Sequence, residues 1–170
     1  TLFPDTSLFR SGRGRYVADI AVPDALWGHV LRSPHAHAVI KRIDIAAAAK
    51  HPGVHGVFRS ADLEGLGAMP CMAAVSPLIV PPRFALAVER VRHVGDPVAF
   101  IVADSAEAAR EAAELVEVDY EALPFVVDGR AAIEDGAPQV WPQAADNTAF
   151  HIRKGDAAAV LFKPLSTSQR

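Results

Sequence analysis

The sequence predicts an α+β domain of mixed strands with one short and one long helix. Three stretches carry that prediction. Val98 to Ala103 is an unbroken apolar run, too short for an isolated helix and without a polar face, so it reads as a strand covered on both sides. Asp104 to Val116 is an Ala-rich amphipathic stretch. Glu117 to Leu123 then alternates, with Val118, Tyr120 and Ala122 on one face against Glu117, Asp119 and Glu121 on the other. That period of two marks a half-exposed strand.

The helix prediction has an internal grammar. Asp104 with Glu107 makes a capping-box-like start, each side chain able to satisfy an orphan N–H. Ala108, Ala112, Leu115 and Val116 line one face; Glu107, Arg110, Glu111 and Glu114 hold the other. Arg110 can pair with Glu107 and Glu114, about 0.2–0.5 kcal/mol per contact. If the flanking strands share a sheet and run parallel, the crossover is right-handed.

From the N-terminus, residues 11–15 (SGRGR) form a Gly-rich basic turn, and Tyr16 to Ile20 suggests a short strand. No strand precedes the turn and no clear helix follows it, so it reads as a solvated turn more simply than as a phosphate cradle. Trp27 to Ser33 and Val39 to Ile45 are two strands, and the break at Ser33-Pro34-His35 suggests a hairpin. Asp44 opens a short helix over Ala46 to Lys50, which His51-Pro52-Gly53 stops. Val54 to Phe58 resumes as a strand. This strand, short helix, strand unit echoes the one at 98–122. The echo reads either as an internal duplication or as shared capping grammar.

Residues 60–84 change character, with a Pro-rich loop over 64–84. Pro70, Pro77, Pro81 and Pro82 interrupt regular structure after one helical turn at Asp62 to Leu66. The loop carries Leu66, Met69, Met72, Val75, Leu78, Ile79 and Val80, with only Glu64 and Arg83 charged. A segment so long and so apolar is expected to be functional or covered by a partner. Ala85 to His93 reads as another strand and Phe125 to Val127 as a short apolar run. Ala157 to Phe162 is the last apolar stretch, ahead of an unstructured end at residues 166–170. The organisation expected is an N-terminal extension over 1–24, a core over 25–127 containing the Pro-rich loop, and a polar C-terminal tail over 128–170.

Composition narrows the function. The chain has 170 residues, 51% of them hydrophobic, enough for one domain with its own core. A net charge of −3 argues against a nucleic-acid partner. No apolar run approaches the ~20 residues of a membrane helix, and no signal pattern opens the chain, so the expected location is cytoplasmic. The single cysteine, Cys71, excludes an internal disulfide and any site built from four cysteines.

The candidate constellations are sparse. His35 and His37 would share a strand face, which suits a metal. No nearby Cys, Asp or Glu completes the three ligands of a catalytic zinc, so they read as surface or interface histidines. His51 and His55 straddle Pro52-Gly53 and lack helical i,i+4 geometry. Met69, Cys71 and Met72 are soft donors, yet read more simply as apolar loop. Cys71 has no neighbouring base to lower its pKa. Ser33, His35 and Asp44 are a triad in composition alone, without a nucleophile elbow. Glu117, Asp119 and Glu121 read as a solvated face. No catalytic, cofactor-binding or metal-binding residue is assigned.

Six motifs then occur in order: residues 14–19 (GRYVAD), 31–38 (LRSPHAHA), 43–44 (ID), 52–54 (PGV), 94–99 (VGDPVA) and 118–124 (VDYEALP). Together, over residues 10–156, they resemble the N-terminal α/β hammerhead domain of the molybdopterin-binding large subunit in the xanthine dehydrogenase, aldehyde oxidase and carbon monoxide dehydrogenase family. The resemblance implies the α/β hammerhead fold. It implies that molybdopterin, iron–sulfur clusters and FAD belong to a full assembly and that none is bound by this chain. In that family the cofactor pocket and catalytic glutamate lie in domains after the hammerhead, so no catalytic residue carries over. Gly95, Pro97, Pro52 and Gly53 are expected to be structural. The implied partners are the pterin-binding domains and other subunits of a molybdenum hydroxylase, or a second copy through loop 64–84. A stand-alone binding or scaffold module, or the relic of a truncated gene, is the alternative.

Overall fold

The computed structural model describes residue 12 and residues 14–20, 22–73, 75–152 and 154–155. Parts of the 11–15 turn, the 157–162 stretch and the 166–170 end lie outside the described residues.

Among the described residues six strands form two three-stranded antiparallel sheets. They are β1 (Trp27–Arg32), β2 (Ala38–Asp44), β3 (Val54–Phe58), β4 (Arg90–Val91), β5 (Pro97–Ala103) and β6 (Glu117–Ala122). The first sheet has the order β1-β5-β3 and the second β4-β2-β6. Among the described residues one α-helix, α1 (Ala106–Glu114), lies across β1, β5 and β3. The two motif units, β2 to β3 and β5 to β6, each carry the chain from one sheet to the other.

Val98–Ala103 is the central strand of the first sheet, as its apolar run requires. Ala99, Ile101 and Ala103 are fully buried against Ala109, Ala112, Ala113 and Val116 of the helix unit. Alanines on both surfaces let helix and sheet backbones approach closely. Nine residues would be marginal as a free helix, so this packing is what holds α1. A smaller core joins Ala38, Val91 and Val98, and Ile43 and Val118 touch both cores.

Several expectations are corrected. β1 and β2 are not a hairpin: Trp27 pairs with Ala103 and Ala38 pairs with Ala122, in different sheets. The Pro34 turn redirects the chain between sheets. β5 and β6 likewise do not share a sheet, so no parallel crossover exists. The central strand is fully covered on one face and only partly on the other, where Val98 is buried in the smaller core but Phe100 stays 36% exposed.

The helix cap is Ser105, whose Oγ accepts from the Ala108 N–H at 3.1 Å. Asp104 is drawn away to His55. The buried face runs through Ala109, Ala112, Ala113 and Val116, and Leu115 is 41% exposed. The stripe that meets the sheet is Ala109, Ala112 and Ala113, not the Ala108, Ala112 and Leu115 line expected. Arg110 makes no ion pair with Glu107 or Glu114; Glu111 pairs with His51 instead, at 3.4 Å.

The shorter elements shift too. Ala46–Lys50 narrows to a 3-10 turn at Ala48–Lys50, with Asp44 Oδ1 accepting from the Ala46 N–H at 2.9 Å. The helical turn after β3 is Ser60–Leu63. Tyr16–Ile20 contains a 3-10 turn at Val17–Asp19, closed by Asp19 accepting from the Tyr16 N–H. Of Ala85–His93 only Arg90–Val91 is strand. The Ala87 N–H donates to Pro97 in one sheet, while Glu89 accepts from Ile40 in the other, so the segment changes partners midway.

Candidate functional site

The motif at 31–38 meets the motif at 94–99. Ser33 N–H donates to Asp96 O at 2.9 Å, Gly95 N–H donates to Ser33 O at 2.8 Å, and Arg32 Nη1 donates to Gly95 O at 2.9 Å. Gly95 has φ +88°, a conformation that glycine adopts without steric cost. These residues clasp the entry to the central strand.

Ser33 is 2% exposed, and its hydroxyl both accepts from the His35 N–H and donates to the His35 carbonyl. Asp44 lies elsewhere, bound to Arg42 and the Ala46 N–H, so no triad assembles. The Ala46 bond, with Arg42 beside it, holds the Asp44 carboxyl below its ordinary range. His35 packs on Tyr120, ring centroids 4.8 Å apart. Burial pushes the Tyr120 phenol upward, and the Asp96 charge adds to it.

His37 is a correction to the surface reading. It is only 5% exposed, its Nδ1 lies 3.0 Å from Pro124 O, and its Nε2 has no partner. The two histidines are thus separately engaged. His51 and His55 reach acids beside the helix: His51 faces Glu111, and His55 Nε2 is 2.6 Å from Asp104 Oδ1. Glu117, Asp119 and Glu121 are exposed, and Glu121 pairs with Lys41.

Among the described residues no three His, Cys, Asp or Glu side chains converge as a metal site. Met69, Cys71 and Met72 are all exposed along the loop. A molybdopterin does not fit the apolar cavity described next. Its one polar side chain, Arg32, is committed to Gly95, leaving no donor–acceptor edge for a pterin ring.

What the fold does build is an open apolar face. Opposite α1, the first sheet aligns Val30, Phe100 and Phe58 in register, with Gly28, Val102 and Gly56 in the next row. A Cβ placed on Gly28 would stand 2.6 Å from the Phe100 ring, and one on Gly56 would stand 2.8 Å from the Phe58 ring. Both rings therefore lie down over glycines. Beside them Val30, Phe58, Leu63, Ala85, Leu86, Pro97 and Phe100 border a cavity of about 390 Å³. Sequence reading missed this face. Its only signal was a glycine two residues from an apolar partner in each of two strands.

The Pro-rich loop stays largely outside. Leu66 is 70% exposed and Met72 90%. Met69 N–H donates to Arg83 O at 2.7 Å and closes the loop on itself, and Ile79 N–H donates to Ala149 O at 2.9 Å and ties it to a later segment.

Two small antiparallel sheets, one short helix packed on the first of them, a backbone clasp at the central strand and an open apolar face define a small α/β domain. A family model described as the aldehyde oxidase and xanthine dehydrogenase a/b hammerhead domain matches residues 11–124, and the chain belongs to that family. Among its relatives is the carbon monoxide dehydrogenase large chain of Afipia carboxidovorans, 44% identical over 132 residues, which cover 76% of this chain and 16% of that one. The nicotine 6-hydroxylase large subunit of Paenarthrobacter nicotinovorans is 40% identical over 151 residues, 84% of this chain and 18% of the relative. In three dimensions the chain is similar to aldehyde oxidoreductase from Desulfovibrio gigas, with a TM-score of 0.76 and 32% identity over 86% of this chain and 17% of that one. It is also similar to Cu,Mo-CO dehydrogenase, with a TM-score of 0.68 and 43% identity over 79% of this chain and 16% of that one. The chain thus spans about a sixth of these relatives' length. Among the described residues no helix is long and apolar enough to cross a membrane.

Proposed function

We propose that this chain is a non-catalytic hammerhead part of a molybdenum hydroxylase large subunit, of the carbon monoxide, aldehyde or xanthine dehydrogenase type. Its work is assembly: it presents an apolar surface against which other parts of the oxidoreductase pack. The open sheet face over Phe58 and Phe100 carries this reading, because soluble domains rarely leave a contiguous apolar surface uncovered unless something docks there. Its partners are the pterin-binding domains and the other subunits, with loop 64–84 as a further contact. Catalysis, molybdopterin, iron–sulfur clusters and FAD belong to those partners, and this chain supplies no catalytic, cofactor or metal ligand. The assembly works in the cytoplasm.

Purification from the native source, followed by elemental analysis and a dye-linked oxidation assay, tests the reading. Molybdenum and turnover should follow the co-purifying partners. Stoichiometric molybdenum with turnover in the pure chain overturns it.

A further inference from the structure

A second depression, about 430 Å³, runs along the edge strand β4 and is closed on one side by Val140 and Trp141. Its charged lining is Arg83, Arg90, Arg92 and His93 against Glu89 and Asp96. Asp96 is already used: its Oδ2 accepts from the Arg92 N–H at 2.9 Å and lies 3.7 Å from His93 Nδ1. Among the described residues no carboxylate is within ion-pair distance of Arg83, Arg90 or Arg92.

Arg92 is the sharpest case. Its guanidinium stacks on the Trp141 ring, 3.8 Å from the centroid. Nη1 donates only to the Arg90 carbonyl, at 3.3 Å, and the buried Nε has no acceptor. Burial first, and the Arg90 charge second, hold its proton affinity below that of an ordinary guanidinium, with the Asp96 and Glu89 charges offsetting only part of that. A partly desolvated cation with no carboxylate in direct contact is costly, and an anion beside it lowers that cost. A planar guanidinium fork suits a carboxylate or a phosphate oxygen pair. Phe84, Leu86, Val88 and Val140 supply apolar walls for a hydrocarbon body.

We propose that this groove binds an organic oxyanion, a carboxylate or a phosphate ester with an apolar body, held by Arg90 and Arg92 with Arg83 assisting. The groove meets the open-face cavity only at Leu86, and its charged lining is its own, so the proposal does not rest on the assembly reading.

The test uses the full chain carrying Trp27→Phe, so that Trp141 is its only indole. Cyclohexanecarboxylate and cyclohexyl phosphate are titrated while Trp141 fluorescence is followed. At least one should give a saturable change, and which one responds separates carboxylate from phosphate ligands. Arg92→Gln should weaken that binding by about tenfold or more, the loss of one charged hydrogen bond. Because Arg92 also packs on Trp141, Arg90→Gln is the second variant; its side chain is exposed, and its loss should weaken binding with the melting temperature unchanged. Arg110→Gln, on the outer face of α1, should bind as the parent does. Absence of a saturable change with both probes, binding as tight as the parent's in both Arg90→Gln and Arg92→Gln, or the same response to potassium chloride at matched ionic strength overturns the proposal.

Discussion

The ring of Phe100 lies across Gly28 on the neighbouring strand, so close that a Cβ there would stand 2.6 Å from the ring. An aromatic ring covering a strand glycine replaces the side-chain packing that the glycine lacks. It also flattens the exposed face of the sheet, where Phe100 stands in register with Val30 on one side and Phe58 on the other.

Gly28→Ala should therefore reverse sign with its neighbour. Alone, it displaces the Phe100 ring and should destabilise by up to about 1 kcal/mol, an ordinary cost for local overpacking. In a Phe100→Ala background the same change should stabilise by about 0.5–1 kcal/mol, because alanine restricts the unfolded chain more than glycine does. Urea denaturation of the four proteins measures the coupling. Equal effects in both backgrounds would show that the ring does not rest on Gly28.

Ala112 is fully buried on the sheet-facing side of α1. Ala112→Glu should cost several kcal/mol, since it buries an unpaired charge. Glu111→Ala, on the outer face, should change stability by less than about 0.5 kcal/mol. Leu115→Ser tests the phase directly. At 41% exposure its cost should fall well below that of Ala109→Ser at a fully buried position. A larger loss at Leu115 than at Ala109 would contradict the helix orientation described above.

Asp44 links the second sheet to the short turn before β3. Its carboxyl is held below the ordinary range, first by the Ala46 N–H and then by Arg42. A depressed folded value means that the unfolded chain takes up the proton first as pH falls. The stability Asp44 contributes is therefore fully present above the usual carboxylate value of about 3.9 and is lost as pH falls through the lower folded value. Melting temperatures of the parent and Asp44→Asn, compared from neutral pH to pH 2, should differ at neutrality and converge at the acid end. A constant gap would place the effect in the turn geometry and not in the charge.

Self-association through loop 64–84 is the last expectation. Leu66 and Met72 are exposed side chains of this loop. Sedimentation of the isolated chain should show concentration-dependent association. Leu66→Ser/Met72→Ser should abolish it without lowering the melting temperature, because neither side chain is part of a core. A parent chain that stays monomeric at high concentration rejects the loop as a contact between copies.

Much of this protein was legible in the sequence because it rests on local periodicity. Val54–Phe58 is a strand over the predicted span, Val98–Ala103 is the central strand, and Glu117–Ala122 is half exposed as its alternation requires. The six ordered motifs led to the hammerhead family, to which the chain belongs. Partnership between segments was a different matter. Alternation says that a strand has two faces, but not which strand lies beside it. Thus β1 joined β5 and β2 joined β6 where a hairpin had been expected. The cap moved from Asp104 to Ser105 because His55, 49 residues earlier, engages the aspartate, and no local rule sees a partner so distant. His37 was expected at the surface because its polarity is local, whereas its burial depends on a carbonyl 87 residues away. The open face over Phe100 was hidden for the same reason. The apolar run Val98–Ala103 promises burial on both sides, and only the tertiary structure decides that α1 covers one side while the other is covered at Val98 and left open at Phe100. Backbone hydrogen bonding and side-chain pattern act over a few residues, so sequence fixes the elements. Which surfaces meet depends on long-range packing, which has to satisfy every element at once.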